Sequence, residues 1–148
     1  MKIVVDADAC PVKEEIVQVA ARFETPVIMV ASYAHVLPEQ QGVTVVQVDR
    51  SLQAADLYIS NRLCPKDVLV TDDYGLATIG LARKATVVSF RGHLFSEQRI
   101  GFMLERRHAL SRSRRGGMRI KGPRSFNNQD RTRFLHTLTK VLQDMQEI

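Results

Sequence analysis

At 148 residues, with 45% hydrophobic and 25% charged content, the chain has the makeup of one globular domain that buries a core without disulfides or structural metal. No apolar run reaches membrane-spanning length, no signal-peptide pattern precedes the first strand, and Cys10 and Cys64 form neither a CxxC pair nor a zinc-type cluster. A cytoplasmic location with reduced thiols and no membrane partner is expected. Net charge is +5, yet from Arg99 to Arg124 nine Lys and Arg face Glu105 alone, a local +8 that leaves −3 elsewhere. Such an acidic body with a basic strip points to a polyanionic partner, nucleic acid above all, the plainer reading being a solvated loop.

In chain order, Lys2 to Val5 predicts a short apolar strand whose polarity changes abruptly at Asp6 and Asp8. From Pro11 to Phe23, apolar Val12, Ile16, Val19, Ala20 and Phe23 recur at helical spacing. Lys13, Glu14, Glu15, Gln18 and Arg22 are assigned mostly to the other face, and Pro11 to the first helical position. Pro26 to Ala31 and Val43 to Val48 predict the second and third strands. Ser51 is the expected cap of a helix to about Leu63, with Leu52, Ala55, Ile59 and Leu63 inward. Asp67 to Thr71 predicts a fourth strand ending in Asp72 and Asp73, followed by a helix to about Lys84 and a fifth strand from Ala85 to Phe90. Leu94 to His108 reads as a helix with Ile100, Met103 and Leu104 as its apolar face; Ser111 to Lys121, basic and glycine-containing, is left unassigned. Asn128 to Glu147 closes the chain as a helix with Phe134, Leu135, Leu138, Val141, Leu142 and Met145 inward. Continuous Val/Ile/Leu strands alternating with helices predict a three-layer α/β domain around a mostly parallel sheet of about five strands.

Acids recur at the strand ends. Asp6 and Asp8 follow the first strand, Asp72 and Asp73 the fourth, and Asp56 lies on the helix that feeds the fourth. If the first and fourth strands are neighbours at the switch point, these acids converge on one crevice. Clustered carboxylates repel, a divalent cation relieves the repulsion, and an all-oxygen set favours Mg²⁺ or Mn²⁺. Each acid also has a structural reading: Asp6 or Asp8 as a cap of the first helix, Asp72 and Asp73 as turn residues before Gly75, Asp56 on a solvated face. Cys10 lacks the Arg six residues on that a Cys-dependent phosphatase requires, Ile16 standing there, and is read as a packing residue. His35, His93, His108 and His136 have no ligand spacing, and no glycine-rich phosphate loop is present.

DADACPVK at Asp6 to Lys13, AAD at Ala54 to Asp56, TDDYGLA at Thr71 to Ala77 and GPRSFNNQDRTRF from Gly122 to Phe134 together resemble the YaiI/YqxD family, over nearly the whole chain. That family is similar to PIN-like nuclease domains. The resemblance implies a parallel sheet whose strand-end acids bind Mg²⁺ or Mn²⁺ for phosphodiester hydrolysis, usually of RNA. Carried over, Asp6, Asp8, Asp56 and Asp73 are the catalytic and metal-binding acids; Asp72 matches less well but joins the candidate metal set. Asp130 and Arg131 match the DR before the last helix, without an assigned role. Gln53 departs from the pattern, standing where an acid of Asp-x-Ala-Asp falls.

The leading expectation is a metal-dependent ribonuclease with Arg106, Arg107, Arg112, Arg114, Arg115, Arg119, Lys121, Arg124 and Arg131 holding phosphates without sequence preference. A catalytically silent RNA-binding module of the same fold is the second reading. The third is a haloacid-dehalogenase-like phosphatase, which also opens on a strand and DxD. Those enzymes usually place Thr or Val at the position of Cys10 and insert a hairpin for which Pro11 leaves no room. Homo-oligomerisation stays open.

Overall fold

Side chains alternate across a strand, so a run with no polar position is stable only when both faces of its sheet are covered. The structure is a computed structural model that describes residues 1–32, 38–51, 53–115 and 124–147, apart from the side chains of Arg107 and residues 113–115. Among these residues the order is β1 (Ile3–Asp6), α1 (Lys13–Arg22), β2 (Val27–Ser32), β3 (Val43–Val48), α2 (Ala54–Arg62), β4 (Val68–Val70), α3 (Tyr74–Ala82), β5 (Thr86–Val88), α4 (Glu97–Arg115) and α5 (Asn128–Gln146). The five strands form one sheet in the order β3-β2-β1-β4-β5, with every pairing parallel. The three-layer α/β architecture expected from the sequence is therefore the one observed.

Alternate strand residues face two cores. Ile3 and Val5, Val27, Met29 and Ala31, and Val68 and Val70 pack with Val12, Ile16, Val19 and Ala20 of the α1 segment and with Phe134, Leu138 and Leu142 of α5. Val4, Val30, Leu69 and Val87 pack on the other face with Ile59 of α2, Leu76 and Ala77 of α3, and Ile100 of α4. Gly80 lets α3 press onto the sheet: a Cβ there would stand 2.8 Å from Val87 Cγ2 and 2.9 Å from Leu69 Cδ2.

Several local expectations are corrected. Pro11 does not open α1: Cys10 N–H donates to Ala7 O, Ala9 takes a left-handed φ of 59°, and the resulting turn delays the helix to Lys13, with Val12 as N-cap. Ser51 does not cap α2 with its hydroxyl; Ala54 N–H donates to Ser51 O across a turn, and Gln53 stands at the N-cap. Glu15 is buried rather than outward, because Arg131 of α5 covers it with an ion pair of 2.6 Å. Helix α4 continues past His108 to Arg115, and Leu104 lies largely in solvent, leaving Ile100 and Met103 to anchor the helix. Leu52 of the expected α2 face, His35, Arg119 and Lys121 lie outside the described residues. No helix among the described residues is long and apolar enough to cross a membrane.

Candidate functional site

The switch point of a doubly wound sheet lies where successive connections leave on opposite faces, here between β1 and β4. Register does the rest. Val5 pairs with Val70, so Asp6 and Thr71 leave the two strands at the same level. Thr71 Oγ1 donates to Asp6 Oδ2 at 2.9 Å and accepts from Asp73 N–H at 3.0 Å, tying the ends of both strands together. Asp73 caps α3, its Oδ1 accepting from Leu76 N–H at 3.0 Å. Asp56 sits in the first turn of α2. Both helices thus bring their N-terminal ends, with the positive end of the peptide dipoles, to acids beside the carboxyl edge of the sheet.

The charges of these acids are coupled. The Asp6 carboxyl is raised to about 6, by burial above all and then by the charges of Asp56, Asp73 and Asp8, with only the Thr71 hydrogen bond opposing them. Asp56 is raised by partial burial and then by Asp73. Among the described residues, no three His, Cys, Asp or Glu side chains stand as a ready-made metal shell; the acids meet as interacting charges at the carboxyl edge of the sheet. Their donor set is all carboxylate oxygen, which suits a hard divalent cation and no soft one.

Asp8 and Asp72 are placed differently from Asp6 and Asp73. Both Asp8 oxygens accept from Ser32 N–H, at 3.2 and 3.1 Å, fastening the turn after β1 to the end of β2. Neither Asp6 nor Asp8 caps α1. Asp72 turns toward the β5 side, where its Oδ1 accepts from Phe90 N–H at 2.8 Å; burial raises its pKa against that bond and the Arg91 and His93 charges. Cys10 is buried and its thiol pushed up to about 11 by that burial, as befits a packing residue. The β1–α1 connection, residues 7–12, holds only a turn and none of the hairpin that a dehalogenase-like phosphatase inserts.

The basic strip divides. Arg106 and Arg112 are exposed on α4, which also carries Arg107, Arg114 and Arg115 along its backbone. Arg124 and Arg131 are instead engaged at the start of α5, Arg124 with Asp130 and Arg131 with Glu15.

The family model described as "Uncharacterized BCR, YaiI/YqxD family" matches residues 4–144, from β1 to the last turns of α5. The chain belongs to the YaiI/YqxD family. A UPF0178 protein of Halalkalibacterium halodurans is 45% identical over 95% of this chain and 90% of its own. One of Bacillus velezensis is 46% identical over 95% of this chain and 84% of its own. One of Listeria monocytogenes serotype 4b is 43% identical over 97% and 98%, respectively. No solved structure matches the chain.

In this YaiI/YqxD protein the sequence reading passed over three arrangements. Thr71, a strand end in the sequence, links the Asp6 carboxylate to the Asp73 backbone N–H. Asp130, left without a role, forms a capping box with Asn127 and is fully buried beneath Arg91, Arg124 and Arg133. Arg131 Nη1 donates to Pro11 O at 2.9 Å and to Glu15 Oε1, joining α5 to the turn that carries Asp8. An Asn three residues before an Asp at a helix start was the legible signal for the second; nothing local announced the others.

Proposed function

We propose that this YaiI/YqxD protein is a metal-dependent nuclease that hydrolyses phosphodiester bonds of RNA, as its PIN-like resemblance implies. The observation that carries the reading is the Asp6–Thr71–Asp73 link across the switch point, to which Asp56 adds its charge. Asp6 and Asp73 would be the principal holders of a Mg²⁺ or Mn²⁺ ion, with Asp8 and Asp56 completing the set or orienting water. A bound divalent cation supplies charge neutralisation and an activated water for in-line displacement at phosphorus. The chain's own contribution is positional. Thr71 holds the Asp6 carboxylate toward β4, and the α3 N-terminus fixes Asp73 through the Leu76 N–H.

Purified protein with Mn²⁺ and end-labelled single-stranded RNA is expected to cleave, and Asp6→Asn to lose at least about 100-fold in rate through loss of a metal ligand. Undiminished cleavage by Asp6→Asn refutes the assignment. A second reading, an RNA-binding module without catalysis, is favoured by Gln53 at the α2 N-cap, where the family pattern carries an acid, and by the lack of a preformed shell among the described residues. It predicts RNA binding that survives EDTA and Asp6→Asn, with no cleavage by the wild type.

A further inference from the structure

A buried carboxylate is satisfied by one well-placed guanidinium; gathering three around it brings like charges together, a cost that one anion offsets only in part. Asp130 is such a centre. It is 0% exposed, its Oδ1 accepts from Arg124 Nη2 at 2.6 Å and Arg133 Nη1 at 3.1 Å, and its Oδ2 accepts from Arg124 Nη1 at 2.7 Å and Arg91 Nη1 at 3.0 Å. Arg91 further donates to Arg124 O and Arg133 to Arg91 O, so the three side chains are mutually fixed. Three cations on one anion leave two positive charges, and the arginine side chains remain 24%, 54% and 38% exposed for Arg91, Arg124 and Arg133.

Asp72 shares the charge of Arg91, and two neighbouring features add to the basic character around the cluster. Arg99 Nε, at the start of α4, is a buried donor without a partner among the described residues. His93 is held below its usual pKa by burial and then by the charges of Arg99 and Arg133, against Asp130. The surface also has shape. A groove of about 440 Å³ opens beside Arg133, lined by Asn128, Gln129, Thr132, Arg133, His136 and Thr137. Phe126 carries the guanidiniums of Arg91, at 6.0 Å from the ring centre, and Arg131, at 5.2 Å. Arg131 in turn meets the DADACP turn at Pro11 O.

We propose that Arg91, Arg124 and Arg133, gathered by Asp130, are the docking surface for the phosphate backbone of a single-stranded nucleic acid, the α5 groove receiving an adjoining nucleotide. The inference rests on the nucleic-acid reading of the strand-end acids; it keeps Arg124 of the expected phosphate contacts, adds Arg91 and Arg133, and leaves the α4 arginines out. Asp130 acts as a positioning residue. A guanidinium pinned on one side by a carboxylate loses less freedom when its remaining N–H groups meet phosphate.

The test is fluorescence anisotropy of the full-length chain with a fluorescein-labelled 12-nucleotide oligo(U) RNA in EDTA, from about 50 to 300 mM KCl. Arg91→Gln and Arg133→Gln are each expected to weaken binding about three- to tenfold and to reduce the slope of log affinity against log salt by about 0.7, the value for one phosphate contact on a single strand. Arg124→Lys keeps the charge while removing the two-pronged contact with Asp130, so it is expected to keep the wild-type salt slope where Arg124→Gln lowers it by about 0.7, a difference that a purely structural hub would not give. Arg106→Gln and Arg112→Gln on α4 are expected to change binding by less than about twofold. Thermal melting checks each fold; should a Gln variant unfold, Arg124→Gln against Arg124→Lys carries the comparison on the most exposed member. Normal affinity and slope in the hub variants, or a slope that follows the α4 variants instead, overturns the proposal. Cleavage in Mn²⁺ is scored separately, so a failed docking surface and a failed nuclease reading give different results.

Discussion

Replacing Asp6 by Asn is expected to stabilise the metal-free protein while removing its proposed chemistry. The Asp6 carboxyl is raised from 3.8 to about 6, first by burial and then by the charges of Asp56, Asp73 and Asp8, against the Thr71 hydrogen bond. At about 1.4 kcal/mol per pH unit, that shift links to roughly 3 kcal/mol of folding free energy. Its sign follows from the raised value: the protonated acid favours the folded state, so the contribution is full below the unfolded value near 3.8 and lost as pH rises through about 6. At pH 8 the wild type has lost it. The amide, which never ionises and whose oxygen still accepts from Thr71, has not. Urea unfolding in EDTA at intervals from pH 4 to pH 8 is expected to give nearly coincident stabilities at the acid end and a gap of roughly 2 to 3 kcal/mol in favour of Asp6→Asn at the alkaline end. Added Mn²⁺ is expected to raise the wild type and leave the variant in place. An Asn variant less stable than wild type at pH 8, or a gap that does not change with pH, refutes the coupled-acid description.

Thr71→Val removes the hydroxyl that lowers the Asp6 pKa, so the acid limb of Mn²⁺ binding, expected near pH 6 in the wild type, moves to higher pH, with the loss of affinity largest below pH 6 and vanishing at alkaline pH; calorimetric titration across pH measures both. Gly92→Ala is expected to destabilise by roughly 3 kcal/mol in urea unfolding. Gly92 holds φ at 86°, and a Cβ there would lie 2.5 Å from Phe134 N, against a helix backbone that cannot yield cheaply.

The strands and their order of appearance were legible because buried parallel strands need uninterrupted Val, Ile and Leu, a local property of the chain. Val43 to Val48 agrees with β3 at both ends, and Phe134, Leu138 and Leu142 lie inward on α5 as their spacing requires. Helix starts were less legible. The sequence reading placed Pro11 and Ser51 at helix starts by residue preference, whereas a turn through Ala9 and one closed by Ser51 O set the observed starts. Glu15 was misplaced for a tertiary reason: nothing in its own helix says that Arg131, 116 positions away, will cover it.

The strand-end placement of the acids is local, since the apolar runs of β1 and β4 break into Asp where the chain leaves the sheet. The family is legible locally as well, through DADACP, TDDYG and the late NNQDR. Which acids share a field was decided only by the tertiary structure. Asp6 and Thr71 lie 65 positions apart and meet because β1 pairs with β4 in a register that levels them. Asp72 and Asp73 are adjacent in sequence, yet one turns to Phe90 and the other to the Asp6 side, since successive residues leaving a strand point to opposite faces. The basic strip likewise had its charge count in the sequence. Its division, with Arg124 held by Asp130 and Arg131 by Glu15 while Arg106 and Arg112 stay exposed on α4, followed from two buried acids, of which Glu15 meets its arginine across 116 positions and Asp130 draws in Arg91 across 39.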